Sequence, residues 1–117
     1  MCEFKVSARA GLKEKKVAED IISAKIEEQE LVLRDVLGSA KRFKGMIISE
    51  VDVEREVMTL TEIPVLPQIL SFIEFYNLCQ AQGKYCEEIE SKWEEVKASG
   101  DELIRSLWKK YEKDERG

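Results

Sequence analysis

The chain has 117 residues, of which 44% are hydrophobic, 19 are basic and 24 are acidic. This length and composition predict one ordered domain, or a small domain with an appendage. The formal net charge of −5 argues against a protein that binds nucleic acid over a broad basic surface. The chain has no histidine, which excludes serine–histidine and cysteine–histidine nucleophile pairs and histidine-based zinc sites within one chain.

The sequence also lacks the common targeting and catalytic motifs. It has no apolar run near the ~20 residues that cross a bilayer, and no basic segment before a short apolar run at its start. We therefore expect a cytoplasmic protein with no membrane partner. Nucleophile-elbow, phosphate-loop and dinucleotide-binding motifs are absent as well. These absences predict a protein that is not an enzyme.

The first sixty residues read as short β-strands. Polar and apolar side chains alternate from Cys2 to Ala8, which is typical of a strand. A second strand is predicted over 23–27, with a bulged entry from Val17. Three further runs follow, over 31–37, 40–51 and 57–60, and the short turns between them predict a meander of locally paired antiparallel strands. About five short strands at this spacing indicate a small curled β-barrel or half-barrel.

Two prolines mark the end of the β pattern. Pro64 and Pro67 remove backbone donors and favour extended conformation in the residues before them. We therefore predict two domains, 1–63 and 64–117, in which Pro67 is well placed to begin a helix.

The second half has helical periodicity. A broad apolar face from Gln68 predicts a first helix that ends near Gly83. A second helix is predicted over 85–98. The segment 99–102 resembles a capping box and predicts a third. Five aromatic side chains on these helices are expected in the core between helices and barrel, and a platform on which bases stack is the alternative. They are Tyr76, Tyr85, Trp93, Trp108 and Tyr111. The fold class is therefore α+β, an antiparallel β-barrel followed by two or three helices.

Cys2 is the best candidate for a metal ligand. Removal of Met1 would place an amine, a thiolate and a backbone nitrogen in one chelate, and such donors suit nickel(II) or copper(II). A retained Met1 would leave Cys2 only its sulfur and amide nitrogen. The alternative is that Cys2 is a small apolar residue that begins a strand.

Four segments together resemble the CooT family, over roughly residues 1–62. They are the start of the chain to Val6, the run 31–38, the run 44–52, and the run 57–60. The family comprises small proteins linked to nickel delivery for carbon monoxide dehydrogenase, and some members are labelled only as predicted RNA-binding proteins. The helical segment from Pro64 is an addition to the family pattern.

The resemblance implies a fold, a metal and two partners. The fold is a small barrel similar to Sm and SH3-like barrels, which pairs as a homodimer. Two Cys2 residues, one from each chain, would share one nickel ion, as a two-fold pair allows. A nickel-enzyme maturation partner is also implied.

Two other functions stay open. Lys41, Arg42 and Lys44 form a local basic group that could contact RNA phosphates on an Sm-like barrel, although exposed strand lysines that discourage edge pairing explain them equally well. The helices could instead serve assembly with a partner. Cys79 and Cys86, seven residues apart, could form a two-thiolate metal site or be two buried apolar thiols.

Overall fold

The computed structural model describes residues 3–116, and the side chains of residues 3–112. The chain divides into two compact units, Met1–Leu66 and Pro67–Gly117, which we call the sheet unit and the helical unit. Strands fill the first and helices the second, so the predicted α+β class is confirmed. The two-domain assignment, 1–63 and 64–117, stays a prediction about independent folding.

The sheet unit contains six strands in one curled sheet. In chain order they are β1 (Phe4–Ala10), β2 (Lys13–Glu27), β3 (Glu30–Asp35), β4 (Ala40–Phe43), β5 (Met46–Asp52) and β6 (Val57–Glu62). Their order across the sheet is β4-β3-β2-β1-β6-β5. β4 and β5 lie at opposite edges of the sheet and do not pair with each other. The sheet is therefore a half-barrel.

The pairing of β1 with β6 makes the sheet mixed rather than wholly antiparallel. β1 and β6 run parallel, with Val6 opposite Met58 and Ala8 opposite Leu60. The other neighbouring pairs are antiparallel. The parallel pair joins the first strand to the last, and strands so far apart in sequence can pair in either direction because no tight turn links them.

The predicted meander over 31–60 is therefore wrong at one connection. β3 pairs with β4 and β5 with β6, but β4 and β5 separate at Gly45. Gly45 has a φ of 69°, a conformation that glycine adopts without a steric penalty. Its carbonyl oxygen accepts a 2.6 Å hydrogen bond from the amide of Ile63, which ties the start of β5 to the end of β6.

The long strand β2 produces the curl of the sheet. Its first part pairs with β1 and its last part with β3. Asp20, between the two, has a φ of 58°, and the register shifts on both sides of it. Such a bulge bends the strand, and the bend in β2 gives the sheet its curl. The sequence predicts a bulge in the same strand, near Val17.

The core of the sheet unit is one cluster of buried apolar side chains. Its central members are fully buried side chains from β1, β3 and β6. The cluster comprises Val6, Ala18, Ile21, Leu31, Leu33, Met58 and Leu60. Burial of each large aliphatic side chain stabilises the fold by roughly 1.5–3 kcal/mol, which is what holds this small sheet together.

The helical unit is a hairpin of two helices, α1 (Leu66–Gln82) and α2 (Glu88–Arg116). Pro67 occupies the first turn of α1, as predicted. Gly83, at a φ of 62°, follows its last residue, and the amide of Lys84 bonds the carbonyl of Cys79 at 3.3 Å. This is the Schellman arrangement that ends helices at a glycine.

The two-helix form is therefore observed, because α2 continues through the segment that predicted a third helix start. Gly100 inside a helix costs about 1 kcal/mol relative to alanine. The apolar stripe of α2 keeps its phase across this point: Trp93, Ile104 and Tyr111 lie within a narrow arc at 3.6 residues per turn. A continuous helix keeps that stripe on one face.

Candidate functional site

The predicted metal ligand, Cys2, lies outside the described residues. The described chain starts at Glu3, and β1 begins at Phe4. β1 is an inner strand, held between β2 and β6, and the amide of Lys5 bonds the carbonyl of Glu56 at 3.0 Å. The strand that follows Cys2 is therefore hydrogen-bonded to a neighbouring strand on each side. The role of Cys2 as a metal ligand stays a prediction.

The three basic residues lie at the β4 edge of the sheet, and local acceptors engage two of them. The Lys41 amine donates to the carbonyl oxygen of Val17 at 3.1 Å. Arg42 donates from Nε to Oε1 of Glu30 at 2.7 Å, and this hydrogen bond raises the pKa of its guanidinium.

These contacts are compatible with both RNA binding and protection of the sheet edge. Exposed ion pairs contribute only ~0–1 kcal/mol each, so a phosphate could replace a carboxylate. Lys44 lies in the turn that follows β4. RNA binding through these residues stays a prediction.

Cys79 and Cys86, the thiol pair, meet in the helical unit. Their Sγ atoms lie 2.8 Å apart, and the Cys86 sulfur lies 4.0 Å from the carbonyl oxygen of Phe75 in α1. Both side chains are half-buried free cysteines. The spacing of seven leaves this contact undetermined; the reversal at Gly83 brings Cys86 back beside α1.

The surroundings of Cys86 favour its protonated thiol. A hydrogen bond with Cys79 raises the pKa of the Cys86 thiol, and burial and nearby negative charge act in the same direction. Beside it, the Tyr85 hydroxyl donates to Oε2 of Glu90. That hydrogen bond is the largest of the causes that raise the pKa of Tyr85 to about 12.

The described part of the chain holds no cluster of three or more cysteine, aspartate or glutamate side chains arranged to bind a metal ion. Over that same part, neither α1 nor α2 is long and apolar enough to cross a bilayer. The described residues therefore bring no more than two such side chains together at any one point.

The outer part of α2 carries an apolar stripe that is open to solvent. Ile104 is 65% exposed and Trp108 is 60% exposed, and Leu107 and Tyr111 lie beside them. The prediction that the five aromatic side chains of the helices belong to the core is therefore wrong, because all five are exposed, from Trp93 at 48% to Tyr85 at 68%. Helical periodicity identifies the stripe, but not what covers it.

A shallow apolar cleft of about 360 Å³ opens in the sheet unit. Small, apolar and charged side chains line it. It is lined by Ala8, Arg9, Ala10, Lys13, Lys15, Val17, Phe43, Met46 and Glu62. The sequence contains no motif for this cleft, which exists because β4 and β5 do not close the barrel.

These features define a class of protein: a small curled mixed sheet followed by a helical extension that bears two free thiols. Residues 1–61 match the family described as "CO dehydrogenase accessory protein CooT". The chain belongs to the CooT family, as the resemblance predicted. The match stops within β6, so the helical unit lies outside it.

Solved structures are similar to part of the chain. One of them is a crystal structure described as CooT from Carboxydothermus hydrogenoformans, with 21% sequence identity and a TM-score of 0.48. The alignment covers 52% of this chain and 97% of that chain. A search of curated proteins finds no match.

Proposed function

We propose that this chain is a non-enzymatic, nickel-binding accessory protein in which the Cys2 thiolates of two copies hold one nickel(II) ion across a homodimer. The observation that carries the proposal is the family match over residues 1–61, which includes position 2. Nickel here is cargo destined for a nickel enzyme such as carbon monoxide dehydrogenase.

The donor set supports a shared site. Sulfur and nitrogen donors in a plane suit nickel(II). The described residues of one chain offer no cluster of three or more ligating side chains. A two-fold axis doubles whatever one copy supplies, so two Cys2 thiolates with their neighbouring backbone nitrogens provide four donors.

Nickel titration of purified full-length protein tests this proposal. We expect a thiolate-to-nickel absorption band that saturates at one ion per two chains. The Cys2→Ser variant should lose the band, because the sulfur is gone. Cys79→Ser is the matched control: it also removes one thiol, and it should keep both the band and the stoichiometry.

Two results would contradict the proposal. One is saturation at one nickel per chain in a monomeric protein. The other is a Cys2→Ser variant that binds nickel as the parent does. An intact mass of the parent reports whether Met1 is retained, and so whether the terminal amine of Cys2 is available as a donor.

We also propose that α2 provides an association surface for a second copy. The supporting observation is the exposed stripe of Ile104, Leu107, Trp108 and Tyr111. Exposed apolar patches of this kind are typical of interaction sites.

A second copy can cover the stripe from Ile104 to Tyr111, because these side chains are open to solvent. Closer to the start of α2, Trp93 packs against Phe72 of α1, with ring centroids 5.3 Å apart. The contact between copies is therefore expected in the outer part of α2.

Sedimentation of a Trp108→Glu variant tests this surface. We expect a weaker self-association than in the parent at equal concentration, and the loss should be larger at low salt if charge also contributes. Leu37→Glu is the control, since Leu37 is exposed but lies in the sheet unit. Equal association in the two variants would exclude α2 as the contact.

A further inference from the structure

The two free thiols of the helical unit are held in contact by the fold of the hairpin. Cys79 lies in the last turns of α1, and Cys86 lies two residues before α2. The Schellman hydrogen bond from Lys84 to Cys79 fixes the reversal between them. Because both thiols are half-buried, a small molecule can reach the pair.

The distance between the sulfur atoms distinguishes two kinds of chemistry. Two thiolates on one tetrahedral ion with metal–sulfur bonds of ~2.3 Å lie about 3.8 Å apart. At the same bond length, a square-planar ion separates neighbouring thiolates by about 3.3 Å. A disulfide requires ~2.05 Å. The observed separation of 2.8 Å is too short for either metal geometry, and a movement of roughly 0.8 Å closes the covalent bond.

We propose that Cys79 and Cys86 form a dithiol site that reacts with small-molecule disulfides and closes to an intramolecular disulfide across the α1–α2 reversal. In the first step one cysteine thiolate attacks the small disulfide, forms a mixed disulfide and releases one small thiol. In the second step the other cysteine displaces the second small thiol. Two cysteine thiols are oxidised and one small disulfide is reduced to two thiols, which take up the two protons.

Proximity drives the second step. The hydrogen bond with Cys79 and burial raise the pKa of Cys86, so its thiolate fraction is small near neutral pH. Attack nevertheless becomes intramolecular once the neighbouring sulfur carries the leaving group, and the reacting atoms already lie within a near-attack distance. We therefore expect the mixed disulfide to be short-lived.

Peptide mapping provides a direct test on the full-length protein. The Cys2→Ser variant is used so that the thiol pair supplies the only cysteines. The reduced protein is incubated with oxidised glutathione, alkylated and digested with trypsin. Trypsin cuts after Lys84, between the two cysteines, and releases peptides 56–84 and 85–92.

Closure of the disulfide leaves these two peptides linked. We expect the intact protein to lose the mass of two hydrogen atoms, and the linked pair to appear and then vanish on reduction. The Cys86→Ser variant in the same background is the control, and it should accumulate a stable glutathione adduct on Cys79. Its persistence there shows that the oxidant reaches the site.

Three outcomes would overturn the proposal. The first is a glutathione adduct that persists on the two-cysteine protein. The second is linkage only between different chains, detected as a disulfide-bonded dimer. The third is protection of the thiols from alkylation by stoichiometric zinc(II), which would assign the pair to metal binding. None of these outcomes depends on nickel binding at Cys2.

Discussion

Truncation of Leu33 provides a direct test of what stabilises the sheet unit. Leu33 is 0% exposed and belongs to the central cluster of the curled sheet. Leu33→Ala removes three buried carbon atoms. At ~0.8 kcal/mol per buried methylene group, the lost burial costs about 2.4 kcal/mol of unfolding free energy. The cavity that remains adds to this, so we expect a loss of about 3 kcal/mol in the free energy of unfolding.

That loss is large for a unit of this size. Small domains are stable by roughly 0.05–0.15 kcal/mol per residue, which gives roughly 3–10 kcal/mol here. Each 1 kcal/mol moves the melting temperature of such a domain by about 4–8 °C. Leu33→Ala should therefore lower the midpoint by at least ~12 °C, or leave the sheet unit unfolded.

The assay has to report the sheet unit alone. Every tryptophan and tyrosine of the chain follows residue 66, so intrinsic fluorescence reports the helical unit. Amide hydrogen exchange over residues 3–66 reports the sheet. Leu37→Ala is the matched control, because Leu37 is 88% exposed, and it should change the free energy by less than about 0.5 kcal/mol. Similar losses in both variants would refute the core assigned here.

Three further predictions concern other parts of the molecule. Gly45→Ala should destabilise the sheet unit more than Gly38→Ala, although both glycines have positive φ. An added Cβ at Gly45 would lie 3.1 Å from the carbonyl oxygen of Ile63, whereas at Gly38 it would meet nothing within 4 Å. Equal shifts of the melting temperature in the two variants would contradict this prediction. The hydrogen bond to Glu90 is the largest cause that raises the pKa of Tyr85 from 10.0 to about 12. The stability that this hydrogen bond contributes is therefore present below pH 10 and lost as the pH rises through 12. Ultraviolet titration of tyrosinate should therefore show a late-titrating phenol that Tyr85→Phe removes. Oxidation of the thiol pair closes a loop of about eight residues and should stabilise the helical unit by about 2.5 kcal/mol, because the cross-link restricts the unfolded chain. Denaturant titration followed by tryptophan fluorescence measures the change. An unchanged midpoint would contradict this prediction.

The two-domain prediction has its own consequence in these measurements. If 1–63 and 64–117 fold independently, Leu33→Ala should leave the fluorescence transition of the helical unit in place. Coincident shifts of hydrogen exchange and fluorescence would instead show that the two parts unfold together.

Local signals in the sequence determine the elements themselves. Alternation around Val6 predicts β1, the change of period after Pro67 predicts α1, and Gly83 predicts its end. Each of these depends on side chains a few residues apart, where backbone geometry links periodicity directly to one face of a strand or helix. Four segments of the first half also indicate the CooT family, because their order and spacing together fit the family pattern.

Tertiary structure alone decides which elements meet. No local pattern predicts that Val6 pairs in parallel with Met58, or that β5 lies at the far edge of the sheet after Gly45. Both features depend on the burial of one common core. The contact between Cys79 and Cys86 has the same origin. A spacing of seven fits one continuous helix as well as a reversal, and only the folded hairpin brings the two sulfur atoms to 2.8 Å.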